Sequence, residues 1–232
     1  MWLRSAVALL FFAIPGAAAA QKVDLALVLA VDVSASIDET RYALQRDGLA
    51  AAFANDAVIN AVASGEHQRI AVTLVEWSGH SNQKQVIPWT VVDSADSARA
   101  FGSAISESPR SFADFTSISR AIEYSVGLFA ASGVEPTRQV IDVSGDGSNN
   151  SGGAVDAARD AALASGVTIN GLAILASEPK LESYYEENVM GGDGAFVIVA
   201  QDFDAFSKAM LSKLVREIAA VPSFRYSVAG LP

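Results

Sequence analysis

Residues 25–31 form an apolar run, Leu-Ala-Leu-Val-Leu-Ala-Val, bounded by polar residues on both sides. A run of this kind reads as a parallel strand buried on both faces, because only a half-exposed strand alternates polar with apolar. Further apolar blocks at residues 69–77, 138–144, 167–175 and 195–200 predict four more strands. Between these blocks the apolar spacing changes to a helical period. It predicts helices over residues 38–54, 94–106, 116–131, 153–164, 181–189 and 202–218, with a connector at 60–66. Residues 85–92 read as a strand that forms a hairpin with 69–77 through a turn at 78–82. Pro88 cannot donate to a ladder, so that strand belongs at a sheet edge or carries a bulge. Alternation of strands and helices implies right-handed crossovers between parallel strands. The predicted class is therefore α/β: a doubly wound, mostly parallel central sheet with helices on both faces and one antiparallel edge hairpin, Rossmann-like in outline.

Composition narrows the function more than the fold. The first 20 residues carry Arg4, an apolar stretch over 6–14, Pro15-Gly16 and four alanines at 17–20, the pattern of a cleaved signal peptide. The apolar stretch is shorter than the ~20 residues that span a bilayer, so no stable membrane insertion is expected once it is removed. The reading is an exported protein, periplasmic or secreted, with one domain over 21–220 and a tail over 221–232. Net charge is −10, with 16 Lys and Arg against 26 Asp and Glu, which disfavours nucleic acid and anionic membranes as partners. There is no cysteine, so disulfides, thiolate metal sites and cysteine nucleophiles are excluded together.

Candidate chemistry lies just after the first apolar strand, in Asp32-Val33-Ser34-Ala35-Ser36. Ligands of open α/β sheets bind outside the carboxyl ends of the strands. A carboxylate and two hydroxyls at alternate positions of a tight turn offer oxygen ligands to one point, as a hard divalent cation requires. The same residues could equally form a helix cap with turn chemistry. Two more segments bear similar groups at the same end of the sheet. Thr116 stands where a loop enters a helix, either capping it or turning its hydroxyl outward, and Asp146 lies between Gly145 and Gly147 at the mouth of the strand over 138–144.

Asp32-x-Ser34-x-Ser36, then Thr116 at a helix start, then Asp146-Gly147 after a strand, resembles the metal-ion-dependent adhesion site of von Willebrand factor A domains. The resemblance covers essentially residues 21–220 in element order. The segments Trp77-Ser78-Gly79, Pro88-Trp89-Thr90 and Tyr184-Tyr185 further resemble an uncharacterised bacterial exported branch of that superfamily, a domain of unknown function. The resemblance implies Mg²⁺ as cofactor, with Mn²⁺ or Ca²⁺ as alternatives. It implies Ser34, Ser36 and Thr116 as direct ligands and Asp32 and Asp146 as charge partners. The partner it implies is a protein that presents an Asp or Glu to the cation. Ile118 departs from the pattern, standing where many relatives carry a second threonine.

The remaining signals are weaker. His67 and His80 are the only histidines and fall in polar loops, too little for a zinc site or a catalytic triad. Trp77 and Trp89 read as packing residues, and residues 191–194 as a turn. Tyr184 and Tyr185, among Glu182, Glu186 and Glu187, read as half-buried residues of a solvated helix. Three functions are carried forward. The first is a non-enzymatic, metal-dependent protein-binding module. The second is a periplasmic scaffold or solute-binding domain whose metal is structural. The third is a Mg²⁺-dependent phosphohydrolase, disfavoured because Ser34 holds the place of that chemistry's second carboxylate.

Overall fold

The structure, a computed structural model, describes residues 20–219; the predicted leader, but for Ala20, and the predicted tail lie outside the described residues. In chain order the elements are β1 (Gln21–Val23), β2 (Leu25–Asp32), α1 (Glu39–Phe53), α2 (Asp56–Ala63), β3 (Ile70–Trp77) and β4 (Gln83–Val92). Then come α3 (Ala95–Glu107), α4 (Ile118–Leu128) with a following 3₁₀ turn (Phe129–Ala131), β5 (Val134–Pro136), β6 (Gln139–Gly145) and α5 (Val155–Ala164). Last are β7 (Val167–Ile174), α6 (Leu181–Tyr184) running into a π turn (Tyr185–Val189), β8 (Val197–Ala200) and α7 (Phe206–Ala219).

Six strands form the central sheet in the order β4-β3-β2-β6-β7-β8. All neighbours are parallel except the antiparallel pair β3–β4 at one edge. The expected fold class is the one observed. Pro88 sits on that edge strand at a bulge, where Pro88 and Trp89 together oppose Thr73. Every residue of β2 is buried, as its unbroken apolar run requires. Its odd-numbered residues from Leu25 to Val31 pack into one core with α1, α2, α3 and α7. Ala26, Val28 and Ala30 pack into the other core with α4, α5 and Tyr185.

Three features depart from the sequence expectation. The second helix, α2, was not anticipated: it follows α1 closely, is capped by the Asn55 side chain and buries only Val58, Ala61 and Val62. A separate two-stranded parallel sheet pairs β1 with β5. The helix expected from residue 116 starts at Ile118, so Thr116 stands outside it and Ser117 occupies the cap position.

A further departure is electrostatic. On the α7 side of the sheet, Lys213 is fully buried, with its Nζ 2.7 Å from Asp142 Oδ1 and 2.6 Å from Glu217 Oε1. Asn170 donates to the same Glu217 oxygen at 2.9 Å, and Arg138 donates to the Glu217 carbonyl oxygen at 2.9 Å. One ammonium thus serves two buried carboxylates. Burial pushes the Asp142 carboxyl up to about 7, with the Glu217 charge adding to the rise and Lys213 opposing it. An acid whose folded pKa exceeds its unfolded value contributes stability that falls as pH rises through the interval between them, here from about 4 to about 7. Lys213→Met leaves both carboxylates without a cation and is expected to cost about 3–5 kcal/mol at about pH 8. At about pH 5.5 Asp142 holds its proton and the cost is smaller. Urea unfolding at the two pH values measures it; an equal cost at both would show that this cluster does not titrate in the folded state.

Candidate metal centre

In the strand order, β2 is the element from which the chain winds both ways, to β3 on one side and through β6 to β8 on the other. Loops leaving β2 and β6 therefore part at their carboxyl ends and leave a crevice. Asp32 is the last residue of β2, and Asp146 directly follows β6. The topology brings these two carboxylates into that crevice, 0% and 1% exposed.

The turn after β2 is tied from several directions. Asp32 Oδ1 accepts the Ser34 N–H at 2.7 Å, which closes the turn on the carboxylate itself. Arg110 donates to the carbonyls of Val33 and Ser34, both at 3.0 Å, and Arg41 donates to the Ser36 carbonyl at 2.7 Å. The Ala35 N–H reaches the Asp114 carbonyl at 2.8 Å. So held, Ser36 Oγ donates to Asp146 Oδ1 at 2.6 Å and lies 3.2 Å from Ser34 Oγ. Four of the five residues singled out from the sequence thus form one hydrogen-bonded cluster. Thr116 comes from the segment that precedes α4 and lines, together with Ser36, a depression of about 290 Å³. Asn150 straps it there: its side chain accepts the Thr116 N–H at 2.9 Å, and its own N–H donates to the Thr116 carbonyl at 2.9 Å. Asn150 is a positioning residue that the sequence reading left unassigned, although it lies four residues past Asp146.

Two oxygens of the cluster lack a hydrogen-bond partner although both are buried: Asp32 Oδ2 and Asp146 Oδ2. The nearest cation to the second is Arg41, at 3.9 Å, too far for a hydrogen bond. Burial pushes the Asp32 carboxyl up to about 7; the Asp146 charge adds to this, while the Ser34 N–H opposes it. Burial likewise raises Asp146, against the Ser36 hydrogen bond and Arg41. Unpaired buried carboxylate oxygens are costly unless a positive charge reaches them. Two carboxylates and three hydroxyls, all oxygen donors, fit a hard divalent cation. No group of three or more His, Cys, Asp or Glu side chains suited to a metal occurs among the described residues, so hydroxyls would have to complete this shell.

Tyr185 was expected to be half-buried on a solvated helix and is instead fully buried. It opens the π turn, its ring lies against Gly171, and its hydroxyl has no hydrogen-bond partner. Burial and the charges of Asp32 and Asp146 hold that hydroxyl well above its ordinary pKa. Trp77 is buried and Trp89 packs on Phe129 while donating to the Leu128 carbonyl, both as packing residues.

With this geometry established, comparison with known proteins decides the relationship. Residues 22–222 match a family described as protein of unknown function (DUF1194). The chain belongs to that family. This DUF1194 protein has no match among curated proteins. Its fold is that of von Willebrand factor A domains. Proximal thread matrix protein 1 of the mussel byssus superposes with a TM-score of 0.64 at 17% identity, over 86% of this chain and 49% of that one. A structure of the same mussel protein is described as having a zinc-occupied metal-ion-dependent adhesion motif. The pilus adhesin SpaC of Lactobacillus rhamnosus GG gives a TM-score of 0.61 at 17% identity, over 86% and 31%. A von Willebrand factor type A protein of Catenulispora acidiphila gives 0.58 at 16%, over 84% and 43%. The DUF1194 chain spans about half or less of the length of each of these structures. No helix among its described residues is long and apolar enough to cross a membrane.

Close packing under the cluster yields a test of its rigidity. A methyl group on Gly145 would lie 2.9 Å from the Tyr185 hydroxyl and 3.0 Å from Asp32 Oδ2. Gly145→Ala is expected to destabilise the protein by about 1–3 kcal/mol in urea unfolding, as overpacking does. A variant as stable as the parent would mean that Asp32 and Tyr185 have room to move.

Proposed function

We propose that this protein is an exported, non-enzymatic binding module that holds a divalent cation, Mg²⁺ first among candidates, and uses it to grip an acidic group of a partner protein. Ser34, Ser36 and Thr116 are the direct ligands in this reading, and Asp32 and Asp146 balance the charge. One observation carries it: two buried carboxylates, each with one oxygen that lacks a hydrogen-bond partner, belong to one cluster with the Ser34 and Ser36 hydroxyls at the sheet's switch point. The metal-occupied motif described for the mussel protein of the same fold supports it. When bound, the cation supplies a positive charge that neutral hydroxyls leave poorly compensated, which favours an incoming carboxylate in a partly desolvated cleft. Aspartate-nucleophile chemistry finds little support, because Asp32 is fully buried, tied to Ser34 and has no second carboxylate two residues on.

Calorimetric titration with Mg²⁺ and Mn²⁺ is the direct test. The expected result is saturable one-site binding, absent in Asp32→Ala and weakened by more than about tenfold in Ser36→Ala and Thr116→Ala. Metal at about 100 times its Kd should stabilise the parent by about 2.7 kcal/mol and leave Asp32→Ala unmoved. Equal heats in parent and variant would place the metal elsewhere. Should metal raise stability while acidic ligands bind equally well in EDTA, the metal would be structural.

A further inference from the structure

Phe115 is a large apolar side chain left 66% exposed, on the residue next to Thr116. A lone exposed apolar residue is ordinary on a protein surface. This one differs in how its backbone is fixed. The Phe115 N–H is held by the Asp114 carboxylate at 2.8 Å, and that carboxylate also accepts from the Asn82 side chain at 2.9 Å. On the other side, Thr116 is strapped to Asn150, and the Ser117 N–H is held by the Ser78 carbonyl at 2.8 Å. A chain anchored at both neighbours cannot swing its aromatic ring into the core. Phe115 itself lines the depression of about 290 Å³, with Ala35 and Ala113 as its other apolar walls and Ser36, Asp114, Thr116 and Asn150 as its polar ones. Ligand pockets run from about 300 to 1,000 Å³, so this one suits one or two side chains rather than a whole small molecule.

Charge bears on the occupant. The protein is acidic overall, at −10, and the Arg41 guanidinium at the Ser36 and Asp146 end of the site is already shared among Asp38, Asp146 and the Ser36 carbonyl. An acidic group would therefore be favoured there only with a cation bound, and disfavoured over most of the surface. Resting on the metal-bridged reading above, we infer that Phe115 and its adjoining depression receive a bulky apolar side chain that flanks the metal-bound Asp or Glu of the partner. The occupant is a protein segment with an acidic residue and a large aliphatic or aromatic residue within two positions of each other. Ser36 belongs to both the hydroxyl cluster and the depression, and Thr116 lines the depression beside it, so a segment gripped at the cluster passes over the depression. An exposed aromatic on an anchored backbone, beside a polar anchor, has the character of an interface hot spot.

A random peptide library displayed on phage, bound to the protein in Mg²⁺ and released with EDTA, tests this. Released peptides should carry Asp or Glu with Leu, Ile, Met, Phe, Tyr or Trp within two positions. On Phe115→Ser the acidic residue should still be selected, the apolar flank should not, and the best parent peptide should bind roughly tenfold more weakly or worse. Acidic peptides released without an apolar flank, or the same flank selected by Phe115→Ser, would overturn the role of Phe115 and leave the metal bridge standing. A parent protein that yields no EDTA-released peptide, or one that takes only glycans from a Mg²⁺-dependent glycan array, would overturn the inference together with the protein-binding reading.

Discussion

The Asp32 carboxylate sits at the end of a strand buried along its whole length, and most of the surrounding construction answers its demands. One of its two oxygens is met locally, by the Ser34 N–H. That bond sets the turn, and the turn sets where Ser34 and Ser36 present their hydroxyls. Gly145 faces the other carboxylate oxygen, and the space a side chain would need there is taken by Asp32 and Tyr185. Asp146 then brings a second carboxylate into the same desolvated region, which raises the cost of charging either one.

Placement of this cluster follows from strand order rather than from any single residue. Because β2 pairs with β3 and β6 on its two sides, the segments that leave β2 and β6 diverge at the carboxyl edge. Thr116 reaches the same edge at the end of the connection between α3 and α4, whose backbone is satisfied largely by side chains. Glu76 accepts the Ser111 N–H, Arg110 donates to the Phe112 carbonyl, and Asn150 brackets Thr116. A long connection pinned in this way holds the Phe115 backbone beside the depression while its ring stays exposed.

Much of this was legible in the chain, for identifiable reasons. The run over 25–31 could only be a strand covered on both faces, and Pro88 could only sit at an edge or a bulge. Asp32, Ser34, Ser36 and Asp146 were legible because each lies next to a strong strand signal, so position along the sequence becomes position at the sheet edge. What escaped is what depends on distant packing. Lys213 and Glu217 are four apart on a helix and look like a surface pair until Asp142 arrives from β6 to bury them. The clues were a charge inside an apolar strand and a lysine on the apolar stripe of α7. Tyr185 was misjudged because a π turn, not a regular helix, carries it under the cluster. The eight residues of α2 were too few to stand out as periodic, although Asn55-Asp56 is a recognisable start.

Two carboxylates, Asp142 within β6 and Asp146 immediately after it, pose the same electrostatic problem and receive different answers. For Asp142 the chain supplies its own cation, a fully buried lysine at 2.7 Å. For Asp146 and its neighbour Asp32 it supplies hydroxyls, a backbone N–H and an arginine held off at 3.9 Å. The fold can evidently accommodate a buried lysine against the sheet, and it does so on the enclosed face alone. At the edge, where the cluster adjoins a depression between Ser36 and Thr116, no buried lysine or arginine among the described residues reaches the two carboxylates, and the proposed cation would supply that charge. In the proposed reading, a site whose charge balance is supplied from solution would respond to what solution offers, first a cation and then an anion to complete it. That dependence would distinguish a gripping surface from a structural ion pair, and the contrast between the two aspartates is the physical argument for it.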